Sequence, residues 1–207
     1  MGSAVVSERR VIGIFTGSRA EYGLQLPILA AVDRHPGLDY RLFVSGSHLE
    51  DGFGGTVAEI EADGFAIHAR TPIAVSNDEL TGTAQAIGRG IHALSSTLAQ
   101  SQPRILVVYG DRFESFAAVV AGSQMGIPVA HVEGGDVTEG GALDDSVRHA
   151  MTKLSHLHFT TNQQASNRVM GMGEEAWRVH TVGFPAIDMI EKGNFASPAA
   201  LFDRYAL

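Results

Sequence analysis

Two carboxylates stand directly after two apolar runs in the middle of the sequence. The run Ile105–Tyr109 is followed by a glycine and Asp111, and the run Ile127–Val132 is followed at once by Glu133 and two glycines. Carboxylates in such places can act as a base, an acid or a metal ligand. Two of them close together drive one pKa upward, which provides both an acid and a base. Asp111 could instead be an ordinary helix cap, whereas Glu133 is a poor cap and costly to bury.

The segment between the two runs has the period of a helix and predicts one over Phe113–Met125. A strand, a helix and a second strand in this order make a unit of parallel strands whose carboxyl ends meet at one edge of a sheet. In open α/β sheets, ligands bind outside that edge. Because neighbouring strands lie only about 4.8 Å apart, Asp111 and Glu133 are expected to share one pocket.

A further acidic pair, Asp144 and Asp145, opens the next predicted helix. Negative charge is favourable at a helix N-terminus for electrostatic reasons alone. The pair joins the site only if the glycine-rich loop Gly134–Ala142 folds it back over the strand ends. Arg148, one turn further on, could hold a phosphate or simply pair with one of these aspartates.

The loop GSRAEYG after the first apolar run contains Arg19 and lies where α/β proteins bind phosphate. Small residues let the backbone approach a phosphate, and an arginine can bind it with two hydrogen bonds. The loop does not follow the GxGxxG pattern, so a nicotinamide or flavin cofactor is not indicated. An ordinary turn with a surface arginine explains this loop equally well.

The rest of the chain alternates short apolar runs with segments of helical period, which predicts a Rossmann-like α/β domain of three layers with a parallel sheet. The further predicted strands are Val11–Thr16, Tyr40–Val44, Phe65–Ala69, Leu157–Thr161 and Arg178–Val182. The further predicted helices are Tyr22–His35, Thr56–Asp63, Asp78–Gln100, Asp145–His156, Asn162–Met172 and Ala186–Lys192. We expect a flexible tail over residues 1–10, the domain over 11–193, and a linker into a further domain over 194–207.

Composition narrows the function. The chain has 207 residues, 44% of them apolar and 18% charged, so it fits one domain with a substantial core. A net charge of −8 without a basic cluster argues against a nucleic-acid partner. The absence of cysteine excludes disulfides and thiolate metal sites and is compatible with the cytoplasm, where we expect the protein. No apolar run approaches the roughly 20 residues of a membrane span, and the histidines show no ligand spacing such as HExxH.

Five strings carry a resemblance to a known family: GSRAEYG, YGDRFE, HVEGGDVTEGGALDDSVRHAMTKLSHLHF, MGEEAWRV and VGFPAID. They resemble the hydrolysing UDP-N-acetylglucosamine 2-epimerases, in particular the branch of the sialic-acid and related nonulosonic-acid pathways. The resemblance extends from Val11 to about Asp188. Family members are longer and have a two-domain glycogen-phosphorylase-like (GT-B) fold, with the active site in the cleft between two Rossmann-like domains. The resemblance therefore implies an N-terminal domain that lacks its C-terminal partner.

What the family does supplies expectations for this chain. Its members remove the C2 proton of UDP-N-acetylglucosamine and expel UDP by anti elimination. Water then adds to the resulting 2-acetamidoglucal and gives N-acetylmannosamine. No nicotinamide and no obligatory metal is implied, and family members are commonly homodimers through this domain. By matching motif, the resemblance implies the catalytic carboxylates Asp111, Glu133 and Asp144 and the substrate-binding residues Arg19, Arg112, Asp145 and Arg148.

The chain departs from the family pattern in two respects. Asp144 stands where many bacterial relatives carry glutamate. The family's catalytic histidine and most of its uridine-binding residues belong to the second domain, so we expect the 207-residue chain alone to have little or no epimerase activity. Two other functions are compatible with the pattern: one half of a GT-B glycosyltransferase, or a nucleotide-sugar binding domain without catalysis.

Overall fold

The computed structural model describes residues 9–50, 52, 55–75, 81–138, 143–191, 193, 197–199 and 202. Within these residues, parallel strands form one sheet in the order β3-β2-β1-β4-β5-β6-β7. The strands are β1 (Arg10–Thr16), β2 (Leu38–Ser45), β3 (Ile67–Thr71), β4 (Ile105–Tyr109), β5 (Val129–Val132), β6 (Leu157–Thr160) and β7 (Val179–Thr181). The helices are α1 (Arg19–Arg34), α2 (Val57–Ala62), α3 (Gly82–Ser101), α4 (Phe113–Gln124), α5 (Leu143–Leu154), α6 (Gln163–Gly171) and α7 (Ile187–Glu191). Short 3-10 turns occupy Gly46–Leu49 and Ala176–Arg178.

The strand order reverses direction between β1 and β4, so the loops after these two neighbouring strands diverge to opposite faces of the sheet. Such a switch point opens a crevice at the carboxyl edge. One apolar cluster, which includes Phe43, Leu94 and Val119, fills the face covered by α3 and α4. A second cluster, which includes Leu29 and Ile60, fills the face covered by α1 and α2. The predicted α/β class with a parallel sheet between two helical layers is confirmed.

Two of the element boundaries that differ from prediction lie at a helix cap and at a glycine turn. The first helix starts three residues before the predicted Tyr22, because the Ser18 side chain caps it by accepting from the Glu21 N–H at 3.4 Å. The third strand was predicted two residues too early, since the chain first turns through Gly64, whose φ is +84°.

The predicted terminal segments fall mostly outside the described residues. β1 already begins at Arg10, inside the predicted tail 1–10, and residues 1–8 are not described. The predicted linker 194–207 is described only at residues 197–199 and 202. The predicted helix start at Asp78 also lies outside the described residues. Among the helices that are described, none is long and apolar enough to cross a bilayer.

Candidate active site

An ion pair between Asp111 and Arg148 lies at the carboxyl edge of the sheet. Asp111 follows β4, and Arg148 reaches it from the second turn of α5 with a side chain only 9% exposed. A second guanidinium nitrogen lies 3.5 Å from Asp145 Oδ1. The first residue outside α4 is Arg112, without a capping side-chain bond, and the Asp111 carboxylate binds Arg148 instead. The alternative reading of Asp111 as a helix cap is therefore wrong.

Glu133 directly follows β5 and has a left-handed backbone conformation, with φ of +68°. Its N–H still donates to the Phe159 carbonyl at 2.9 Å, so the strand ladder continues up to the residue that turns away. Burial raises the pKa of the Glu133 carboxyl, and the nearby charge of Arg148 opposes the rise. A non-glycine residue held in this region costs free energy, and such strain is frequent at functional positions.

The Tyr109 hydroxyl lies beside the Glu133 carboxylate. The Tyr109 side chain is 1% exposed, and its hydroxyl has no partner in hydrogen-bond geometry among the described residues. Burial, followed by the charge of Glu133, raises the pKa of Tyr109, so the hydroxyl keeps its proton. A buried donor is thus held next to the carboxylate that sequence reasoning identified, and its position in an apolar strand gave no signal for this.

The start of α5 lies close to the carboxyl ends of the strands, which is the condition for Asp144 and Asp145 to join the site. The Thr138 N–H donates to Asp145 Oδ1 at 2.8 Å, and this hydrogen bond lowers the pKa of Asp145. Asp144 is exposed, and it lies near enough to Asp111 for its charge to help raise the pKa of that carboxyl, behind burial as the main cause. Residues 139–142 of the intervening loop are outside the described part of the chain.

The glycines after Glu133 allow a close approach to α6. A Cβ added at Gly135, whose φ is +84°, would lie 2.4 Å from the Ala165 carbonyl oxygen. The next residue, Asp136, accepts from Thr161 Oγ1 at 2.8 and 2.9 Å. These contacts fix the chain direction immediately after Glu133.

His131, a buried residue of β5, contacts the loop that precedes Asp111. It is fully buried, with Nε2 2.8 Å from the Gly110 carbonyl oxygen and Nδ1 3.1 Å from Thr152 Oγ1. Burial lowers its pKa to about 4, so the ring is neutral and donates from Nε2 to Gly110. His131 thereby holds the residue that precedes Asp111, a role that the sequence did not indicate.

The two other predicted arginines bind different carboxylates. Arg19 is exposed and binds Glu59 of α2 at 2.9 Å. Arg112 binds Glu114 through two nitrogens, at 2.8 and 3.1 Å. The structure therefore brings Asp111, Glu133, Asp145 and Arg148 together, places Asp144 beside them, and shows Arg19 and Arg112 paired elsewhere. Their roles toward a substrate remain predictions.

This arrangement provides a general acid or base and a cation for an anionic group. Two carboxyls with raised pKa lie around one nearly buried guanidinium, which is the environment that acid–base chemistry at neutral pH needs. Within the described ranges, no three histidine, aspartate or glutamate side chains are grouped as metal ligands.

Fold and site together define a Rossmann-like α/β domain with a group of carboxylates around Arg148 at the carboxyl edge of its sheet. Compared with known families, residues 30–203 match the family described as UDP-N-acetylglucosamine 2-epimerase. The chain belongs to this family, which confirms the resemblance seen in the motifs.

Individual relatives support the same assignment. A UDP-N,N'-diacetylbacillosamine 2-epimerase (hydrolyzing) of Legionella pneumophila is 34% identical over 95% of this chain and 52% of its own length. A UDP-N-acetylglucosamine 2-epimerase of Neisseria meningitidis serogroup B is 31% identical over 96% of this chain and 51% of its own length. The chain thus spans about half the length of these relatives.

A solved structure confirms the fold. The UDP-GlcNAc 2-epimerase of Methanocaldococcus jannaschii, in complex with UDP-GlcNAc and UDP, matches with a TM-score of 0.78 at 20% identity. The match covers 94% of this chain and 53% of that one. The domain accordingly has the fold of one half of that two-domain chain, as expected from the sequence.

Proposed function

We propose that this chain is the N-terminal half of a hydrolysing UDP-GlcNAc 2-epimerase, or of a close relative that acts on a UDP-diacetamido sugar. The observation that carries the proposal is the group formed by Asp111, Glu133 and Arg148 at the carboxyl edge of a domain that belongs to the epimerase family. The two relatives described above differ in their sugar, so both substrates stay within the proposal.

The proposed reaction has two steps. A carboxylate takes the C2 proton, the C1–O bond to UDP breaks, and a C1–C2 double bond forms to give the glucal. Water then adds its hydroxyl to C1 and a proton to C2 from the opposite face, which yields the free 2-epimer. C2–H is weakly acidic, so a positioned base is needed, and the leaving diphosphate develops charge that a guanidinium stabilises.

The roles follow the matching motifs. Asp111, Glu133 and Asp144 serve as the acid–base carboxylates, and Arg148 faces the sugar and diphosphate. Arg19 and Arg112 lie at the loops after β1 and β4, on either side of the switch point, and would face the diphosphate from there. Asp145 anchors Arg148 within the same group.

The wider setting is part of the same proposal. The enzyme would act in the cytoplasm, in a pathway to sialic or related nonulosonic acids, as a homodimer that includes a second domain. The cheapest test is the natural reading frame, which should continue into a second βα domain that contains the family's catalytic histidine. Light scattering of the natural gene product gives its oligomeric state.

The decisive experiment incubates the natural gene product with UDP-GlcNAc and, separately, with UDP-N,N'-diacetylbacillosamine in deuterated water. Release of UDP with deuterium at C2 of the free sugar supports elimination and names the substrate. Release without exchange at C2 contradicts the mechanism. Transfer of the sugar to an added acceptor would favour the glycosyltransferase alternative, and binding without release would favour the non-catalytic one. The 207-residue chain, tested in parallel, should release little or no UDP.

A further inference from the structure

Two glutamates lie buried beneath the loops that follow β1 and β4. Glu21, in the first turn of α1, is 5% exposed, and Glu114, in the first turn of α4, is 1% exposed. Burial of a carboxyl group costs free energy unless hydrogen bonds or a counter-charge compensate. Neither residue is among the proposed acid–base groups, so their retention in the core at the switch point requires its own explanation.

Glu21 holds the loop after β1. Its Oε2 accepts from the Gly17 N–H at 2.8 Å, and its Oε1 accepts from Ser115 Oγ at 2.7 Å. Ser115 belongs to α4, so one carboxyl joins the loop after β1 to the helix that follows β4. These two hydrogen bonds therefore connect the elements on the two sides of the switch point.

Glu114 holds Arg112 and meets the same loop. Its carboxylate binds the Arg112 guanidinium through two oxygens, and its side chain is 2% exposed against 43% for Arg112. A guanidinium has five N–H groups, so the pair leaves donors on the exposed side free for an anion. The side of the Arg112 guanidinium that faces Glu114 is thus held in place, while its other side is exposed to solvent.

Gly17 lies against both glutamate side chains. A Cβ added there would lie 2.9 Å from Glu114 Cβ and 3.2 Å from Glu21 Oε2. The Gly17 carbonyl accepts from the Ser47 N–H at 3.0 Å, which adds the segment after β2 to the same junction. The loops after three strands therefore share one buried acidic centre.

We propose that Glu21 and Glu114 are positioning residues, which hold the Gly17–Ser18 turn and Arg112 in the orientation that receives the diphosphate of the nucleotide. The inference rests on the proposed function and deepens it. Neither carboxyl touches the ligand: Glu114 acts through Arg112, and Glu21 acts through the Gly17 backbone. Arg112 keeps its charge when its partner is removed but loses its fixed direction, which weakens bidentate recognition of a phosphate.

The test measures UDP affinity of the natural gene product by calorimetry for Glu114→Gln, Arg112→Gln and the double variant. Each single change is expected to weaken binding about 10-fold, the loss of one charge-assisted hydrogen bond. The double variant should bind no more weakly than Arg112→Gln alone, because Glu114 acts through that residue. A double variant weakened by the product of both factors, or Glu114→Gln with wild-type affinity, would overturn the inference. Glu61→Gln is the matched control, since Glu61 forms an exposed pair with Arg70.

Glu21→Gln separates positioning from stability. Glutamine can still accept from the Gly17 N–H, but the geometry toward Ser115 changes because its amide nitrogen is a donor. We expect about 10-fold weaker UDP binding with no loss of Tm at pH 8. Weaker binding accompanied by a parallel fall in Tm would indicate a merely structural role and overturn the inference. Failure of the wild-type protein to bind UDP at all would contradict the proposed function itself, whereas wild-type binding with unaffected variants contradicts only the positioning role.

Discussion

The Arg148 guanidinium binds the Asp111 carboxylate and so joins α5 to the end of β4. Because Arg148 also contacts Asp145 and lies near Glu133, one nearly buried cation balances several carboxylates. This balance explains how acidic groups with raised pKa values can be kept together at the edge of a protein with a net charge of −8.

Replacing Arg148 by Gln should destabilise the protein, and more strongly at high pH. Burial already raises the pKa of Asp111 and of Glu133, and loss of the cation raises both further. A carboxyl whose pKa is higher in the folded state binds its proton more tightly there, so stability falls as pH rises through that range. We expect urea denaturation to show a loss of about 2–4 kcal/mol at pH 8 and a smaller loss at pH 5.

The matched control for Arg148 is Arg70→Gln, which removes an exposed ion pair with Glu61. Exposed pairs contribute only about 0–1 kcal/mol to stability. An equal loss for Arg148→Gln at both pH values would show that the carboxylates are not coupled to this cation.

Glu133 gives a prediction in which activity and stability change in opposite directions. Glu133→Gln should abolish UDP release while the fold stays intact, because the amide cannot exchange a proton with C2. Glu133→Gly should also be inactive, yet more stable by about 1 kcal/mol, since glycine adopts a φ of +68° without the steric cost of a Cβ. UDP release and thermal unfolding of both variants check this, and an active Glu133→Gln protein would remove Glu133 from the catalytic set.

The sequence was sufficient to predict the sheet and the carboxylates at its edge. Continuous apolar runs such as Ile105–Tyr109 predict buried parallel strands, and the residues after them must then meet at one edge. The motifs predicted the family. These features depend on local sequence patterns and on rules of chain topology, so they can be predicted from a single sequence.

The partners of each charged group could not be predicted in the same way. Glu21 and Ser115 are 94 positions apart, and only the pairing of β1 with β4 brings the first turns of α1 and α4 into contact. For Arg148 the sequence left open a phosphate or a pair with one of the two aspartates that open its helix, whereas its pair with Asp111 depends on where α5 lies relative to the end of β4. Side-chain partners across a fold follow from packing, which no local pattern encodes.

Replacement of glycine by alanine at two positions distinguishes the effect of tight packing on stability from the effect of chain entropy. Gly17→Ala should cost about 1–3 kcal/mol, because the added Cβ would lie 2.9 Å from Glu114 Cβ in a filled core. Gly23→Ala has nothing within 4 Å of the new Cβ and lies inside α1, so alanine should stabilise by about 0.5–1 kcal/mol. Chemical denaturation of both variants gives the comparison, and a neutral Gly17→Ala would show that the two glutamates do not enclose this position.

The buried carboxyl of Glu21 should make the stability of the protein depend on pH. Burial raises its pKa from 4.5 to about 7. The unfolded chain releases this proton near pH 4.5 and the folded protein near 7, so the contribution of Glu21 to stability is complete at low pH and is lost as pH rises through this interval. Glu21→Gln resembles the protonated form and keeps its stability.

The difference in unfolding free energy between Glu21→Gln and wild type should therefore grow in favour of the variant from pH 5 to pH 8, by about 2–4 kcal/mol. His48 and His131, whose pKa values are lowered to about 4 by burial, give both proteins the same opposite slope, so subtracting one curve from the other removes their contribution. A pH-independent difference would mean that Glu21 is ionised in the folded protein at pH 5. In that case its bonds to Gly17 and Ser115 would be those of a carboxylate held by Arg112, and the loop would be fixed by charge throughout the neutral range.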